Sequence, residues 1–182
     1  TVQSGESFRS VRQKLEHDGL ITSGWRFEVL ARTQGVANQI RSGEYLISKD
    51  CGPLQVLEIL VNGKSIEYAL TVQEGLSRFE IAQMFANLGL GTTEEFLRAT
   101  EDSALINELL GESIPSLEGY LFPETYKLTK FTGAKNLVRT MVQKFLKTYS
   151  EAVKGNALSM PRHRLVILAS LIEKETGVEA DR

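Results

Sequence analysis

Several residue types that commonly announce a function are scarce here. The 182 residues include one cysteine, two histidines, one tryptophan and four prolines. Cys51 has no internal partner, so the chain forms no disulfide of its own, and the residue reads as a small buried apolar side chain. His17 and His163 lie far apart and neither stands at metal-ligand spacing from Cys or acidic residues, so no metal is expected. Neither a nucleophile elbow nor a phosphate-cradling glycine loop occurs, and no cofactor is expected. The longest apolar stretch, Leu165 to Ala169 followed after Ser170 by Leu171 and Ile172, falls far short of the ~20 residues that span a bilayer. Charge of one sign is missing too: 23 acidic side chains stand against 21 basic ones, a formal charge of −2. Without a Lys/Arg cluster to displace counterions, no nucleic-acid partner is expected. Thr1-Val2-Gln3 carries no initiator Met and no leader pattern, so any signal or anchor is expected to be removed or not included.

What remains is the composition of a globular protein with 42% apolar residues, enough for one medium domain or two small ones. An internal repeat organises its first half. Thr1-Val2-Gln3-x-Gly5-x-Ser7 recurs as Thr71-Val72-Gln73-x-Gly75-x-Ser77, an offset of 70 residues that extends through Gln13/Gln83, Gly19/Gly89, Leu20/Leu90 and Thr22/Thr92. Each copy reads as a short strand, a Gly turn, a helix with apolar residues at i, i+4 and i+8, and a helix-ending Gly. A second helix follows, capped by Thr22 or Thr92. Glu94 and Glu95 then sit in its first turn, where the helix dipole favours acids.

Between the copies, Gly43 to Ser48 predicts a strand, Pro53 to Val61 a helix closed by Asn62-Gly63, and Ser65 to Val72 the strand entering the second copy. The result resembles, in architecture, the LysM domain, a small βααβ module that often binds N-acetylglucosamine-containing glycan. The alternative is that the units serve only packing and spacing.

Chemistry concentrates in the last third. Leu117-Glu118-Gly119-Tyr120-Leu121-Phe122-Pro123-Glu124-Thr125-Tyr126 is aromatic and β-prone, yet Gly119 and Pro123 exclude a central strand. In extended conformation Tyr120, Phe122, Glu124 and Tyr126 would share one face, an edge or groove wall where rings and carboxylates suit a sugar. Pro161 then opens a helix that runs through Ala169-Ser170-Leu171-Ile172-Glu173-Lys174-Glu175-Thr176 to Gly177. Its apolar residues cover nearly the whole circumference, which predicts a buried helix. Glu173 falls on the Val166 side and Glu175 about 200° away, so the two cannot act as a facing pair. A Glu partly withdrawn from water can hold a proton near neutral pH and deliver it to a leaving oxygen. Acids at a helix end are otherwise solvated or paired along the helix. Upstream, residues 133–153 form a helix with Leu137, Met141, Phe145 and Tyr149 on one face, expected to pack on the helix carrying Glu173.

Taken in order, the stretch Leu117 to Tyr126 and the Glu173-Lys174-Glu175-Thr176 helix end resemble the endolytic murein transglycosylase family, MltG-type or YceG-like. The resemblance spans the chain and implies an α+β protein with tandem LysM-like units over residues 1–110 and the first part of a transglycosylase domain over 111–182. It implies cleavage of the β-1,4 bond between N-acetylmuramic acid and N-acetylglucosamine without water, leaving a 1,6-anhydro end. Glu173 takes the position of the family's catalytic Glu. For supporting roles the chemistry suggests Glu118 either at the developing charge on C1 or orienting the sugar, Tyr120 and Tyr126 along the groove, and Glu175 and Thr176 holding Glu173. Peptidoglycan strands, and penicillin-binding synthases as partners, are the implied company.

Relative to the family pattern, the chain stops at Asp181-Arg182, where the catalytic domain would continue, and lacks the membrane anchor expected before Thr1. It is therefore expected to be a fragment of a protein held in the bacterial cytoplasmic membrane, with this region on the extracytoplasmic side. The rival readings are a non-catalytic peptidoglycan-binding module and a scaffold of the wall-synthesis machinery.

Overall fold

The computed structural model describes residues 1–3, 5–154 and 160–176, excepting the side chains of Lys174 and Thr176. Among these residues the fold is α+β, with eight helices and a small two-stranded sheet. The chain divides into two compact units. The first comprises Thr1–Glu67 with Thr129–Phe131, and the second holds Tyr68–Leu128 and the described residues from Thr132 onward.

In the first unit α1 (Phe8–His17), α2 (Gly24–Thr33) and α3 (Pro53–Asn62) enclose a core of Val2, Val11, Leu15, Ile21, Phe27, Ala31, Val56, Leu57, Leu60 and Val61. Ser7 caps α1 by accepting the Ser10 amide. Pro53 opens α3 at a position where its missing N–H costs nothing, and Gln55 reaches back to the Gly52 amide. The strand expected over Gly43 to Ser48 is not formed. Only Gly43 bridges, exchanging both backbone hydrogen bonds with Val2 at 2.8 and 2.9 Å. The next residue, Glu44, spends its amide on the Ser65 hydroxyl and its carbonyl on Ile66, and Leu46 points outward at 88% exposure. An alternating pattern needs a second strand to pair with, and none lies there.

The second unit is built on β1 (Tyr68–Thr71) and β2 (Thr125–Leu128), antiparallel with Leu70 opposite Tyr126. Between them run α4 (Arg78–Asn87), α5 (Thr93–Thr100) and α6 (Ser103–Leu110), and after β2 come α7 (Ala134–Ala152) and α8 (Arg162–Thr176). One continuous core joins β1, β2 and α4 to α7: Leu70, Ile81, Phe85, Phe96, Leu105, Ile106, Leu117, Tyr120, Tyr126, Leu137 and Met141 all belong to it. The domain boundary expected near residue 110 therefore falls inside this unit, because the second repeat copy shares its core with the segment that follows it.

The repeat itself is visible as two helix pairs, α1 with α2 and α4 with α5, each burying a phenylalanine on its second helix, Phe27 and Phe96. The offset slips by one residue between Leu20/Leu90 and the second helix. Ser23, not Thr22, occupies the first cap, while Thr92 makes a reciprocal capping box with Glu95. Tandem βααβ modules are not what the backbone forms. The first copy has a single bridge where strands were expected, and the second places three helices between its strands.

Two helices differ from expectation in their partners. The inner side of α7, Leu137, Val138, Met141 and Val142, packs on α5 and α6 rather than chiefly on α8. Among the described side chains of α8 only Val166 is buried, and Ile167, Leu168, Leu171 and Ile172 are about half exposed. An apolar circumference is not itself a burial, since something must cover every side, and among the described residues only one side is covered.

Candidate active site

All the geometry that follows lies within the second unit. The aromatic stretch Leu117 to Tyr126 after α6 does not begin extended. Leu117 is anchored by its amide to the Thr100 carbonyl at 2.9 Å, and the Tyr120 amide turns back to the Leu117 carbonyl at 3.1 Å. Gly119 sits at the turn with φ +78°, and a Cβ there would stand 2.6 Å from Val166 Cγ1. Only a glycine permits both that dihedral and so close an approach of backbone to α8. The expected common face of Tyr120, Phe122, Glu124 and Tyr126 is lost, because both tyrosines are buried while Glu124 is exposed and pairs with Lys144. Leu121 and Pro123 line a groove, whereas Tyr120 and Tyr126 go into the core.

Tyr120 is completely buried. Its hydroxyl meets His163 Nδ1 at 3.1 Å, and its ring packs edge-on to Phe145 and stacks on His163. Burial, with the nearby Glu112 carboxylate, pushes its hydroxyl pKa up. Tyr126 donates to the Phe122 carbonyl at 2.6 Å and is likewise shifted upward, first by burial and then by Glu124. Both rings support the walls from behind and do not face the groove.

That groove has a volume of about 770 Å³. One wall is Gln73 to Ser77, the loop from β1 to the start of α4; another is Glu118, Gly119, Leu121 and Pro123; α8 closes it with Val166, Ala169, Ser170, Ile172 and Glu173, and Phe145 contributes from α7. Glu173 and Glu118 thus belong to one cavity although 55 positions separate them in the sequence. Glu173 Oε1 lies 3.8 Å from where a Cβ on Gly75 would be, and Gly75 has φ +77°. The loop can pass close to the carboxylate because it carries no side chain at that point. Glu118 sits at the N-terminus of α4, where the Arg78 backbone N–H donates to its two carboxylate oxygens at 3.2 and 3.3 Å. Helix N-termini favour negative charge at this location.

Glu175 is exposed and not part of the groove lining, and the Thr176 side chain falls outside the described residues. The described lining includes three carboxylates, Glu74, Glu118 and Glu173, and no Lys, Arg or His. No group of three or more His, Cys, Asp or Glu that could hold a metal occurs among the described residues, and no described helix is long and apolar enough to cross a membrane. Sequence reasoning missed Gln73, Gly75 and Ser77 as site residues. Their signal was the repeated motif itself, which in its second copy forms the loop opposite α8.

Glu118 and Glu173, from distant segments, thus stand in one open groove with a partly apolar lining. The profile of the YceG-like family matches residues 1–182, and the chain belongs to that family. It is 27% identical to the endolytic murein transglycosylase of Bacillus subtilis (strain 168), matching over all of this chain and 54% of that protein. The endolytic murein transglycosylase of Streptococcus pneumoniae serotype 2 (strain D39) is 28% identical over all of this chain and 37% of its own length. The chain thus spans about half or less of these relatives. A crystal structure of a putative YceG-like protein from Listeria monocytogenes aligns over 96% of this chain and 62% of its own, with a TM-score of 0.48 and 22% identity.

Proposed function

We propose that the groove is part of the active site of an endolytic murein transglycosylase, with Glu173 as its acid and base. The observation that carries this reading is the placement of Glu173 and Glu118, from distant segments, in one open groove of about 770 Å³. The family membership and the names of the relatives support it.

In the proposed reaction Glu173, protonated, gives its proton to the glycosidic oxygen as the bond from C1 of N-acetylmuramic acid breaks, and N-acetylglucosamine leaves with a 4-hydroxyl. The resulting carboxylate accepts the proton of the muramoyl C6 hydroxyl while that oxygen closes onto C1. No water is consumed and Glu173 ends as it began. One acid suffices because the nucleophile is part of the substrate, unlike hydrolases, which need a second carboxylate to activate water or attack directly. Glu118, hydrogen-bonded at a helix N-terminus, supplies fixed negative charge toward the positive charge developing at C1. The apolar lining from Leu121, Pro123, Phe145 and Val166 offers surface to the C–H faces of the sugars. Tyr120 and Tyr126 act from behind the wall. On this reading the protein works where peptidoglycan lies, on the outer side of the cytoplasmic membrane, beside synthases of the penicillin-binding type.

The test is mass spectrometry of glycan strands incubated with the full-length polypeptide. The wild type is expected to yield 1,6-anhydro ends without added water. Glu173→Gln should lower their formation by about 10²–10⁴-fold, the usual worth of a positioned acid–base group, with strand binding retained. Unchanged product release from the variant would overturn the assignment.

A further inference from the structure

Glu118 is held by a part of the chain 40 residues away. Ser77 caps α4 by bonding the Glu80 amide, and Glu80 returns to the Ser77 amide, which leaves the amide of Arg78 to find an acceptor. That acceptor is Glu118. The Arg78 side chain reinforces the arrangement: its Nε stands 3.8 Å from Glu118 Oε2, and its Nη1 donates to Glu101 and, at 3.3 Å, to the Thr100 hydroxyl. Its guanidinium carbon lies 4.7 Å from the centre of the Phe79 ring.

Thr100 ties both partners together. It is fully buried, its hydroxyl receives Arg78, and its carbonyl receives the amide of Leu117, the residue immediately before Glu118. Arg78 is 15% exposed while the Glu118 side chain is 48% exposed. A half-exposed carboxylate on a flexible stem would otherwise share its time among several rotamers. Arg78 is not among the residues lining the groove, so its part is played through Glu118.

We propose that Arg78 is the positioning residue for Glu118, holding that carboxylate in a single orientation along the groove wall so that it meets the substrate already aligned. The inference rests on the transglycosylase reading. A guanidinium braced on three sides does this better than an ammonium, which has no planar fork to share among Glu101, Thr100 and Glu118.

The experiment measures anhydro-end formation by the full-length polypeptide carrying Arg78→Ala, Arg78→Lys, Glu118→Gln and the Arg78→Ala/Glu118→Gln pair, with wild type and Glu173→Gln as controls. Arg78→Ala is expected to lower kcat by about 10–100-fold, the scale of a misplaced group, with little change in KM. The paired variant should be no slower than Glu118→Gln alone, since a positioning residue has nothing left to position. Arg78→Lys, which keeps the charge and is expected to fold even if the alanine variant does not, should lie between wild type and Arg78→Ala. Losses that multiply in the paired variant, or that follow only a fall in unfolding midpoint, would overturn the inference while leaving Glu173 in place. A wild type that forms no anhydro ends would instead overturn the underlying reading and this inference with it.

Discussion

Gly119 carries two constraints at once, a left-handed backbone and a close approach to Val166. An alanine there would meet both. The dihedral costs roughly 1–2 kcal/mol for a residue with a Cβ, and the overlap with Val166 Cγ1 adds roughly 1–3 kcal/mol because a β-branched valine on a helix has almost no alternative rotamer. Gly119→Ala is therefore expected to destabilise the second unit by about 2–5 kcal/mol, read from chemical denaturation. Adding Val166→Ala should recover only part of the loss, less what its own truncation costs, since the dihedral remains. Full tolerance of Gly119→Ala would show that α8 does not bear on the turn.

Elements derived from one repeated motif have been put to different uses. In the first copy Glu6 accepts hydrogen bonds from the Gln3 amide and the Ser10 hydroxyl and pairs with Lys14, closing the loop onto α1. At the matching position the second copy has Leu76, and its loop lines the groove. The bonds to Glu6, the Gln3 amide first, pull its pKa from 4.5 down to about 2. Folding thus gains from this carboxylate at pH values above about 4.5, and the gain is lost as pH falls toward 2, because the unfolded chain takes up the proton first. Glu6→Gln should cost about 1–2 kcal/mol at neutral pH and make the first unit less sensitive to acid over that window. Trp25, the sole tryptophan of the sequence and part of α2, provides the fluorescence signal for urea titrations at each pH. An equal acid response in both proteins would show that Glu6 is not the linked group.

Much at this scale was legible beforehand. Pro53 and Asn62-Gly63 mark the ends of α3 because proline and glycine act through the local backbone alone. Thr92 with Glu95 announces α5 for the same reason. The strand expected at Gly43 to Ser48 failed because a strand is a property of a pair, and Ser65 took the hydrogen bond at Glu44 instead. Similarly, the apolar circumference of α8 told how much it could bury and not how much was covered.

At the scale of the whole molecule the described residues form two hydrophobic cores, one containing Phe27 and the other Phe96. Truncating either ring should cost about 3–5 kcal/mol. Amide hydrogen exchange is expected to localise each loss: Phe27→Ala should raise exchange in α1 to α3, and Phe96→Ala in α4 to α7 and the sheet. Equal loss of protection across the chain from either variant would show one cooperative core in place of two.

Composition, repeat and capping residues determined by themselves that the chain is α+β and where most of its helices lie, because these signals are local, whereas Glu173 was singled out by the family resemblance and Glu118 by the chemistry of a sugar site. Only the tertiary structure decided that the second copy of the motif supplies a groove wall, that Tyr120 and Tyr126 belong to the core, and that Arg78 reaches Glu118. Those facts depend on which surfaces meet across 40 to 100 residues of chain, and contacts of that range are settled by the packing of whole elements, which no stretch of sequence encodes alone.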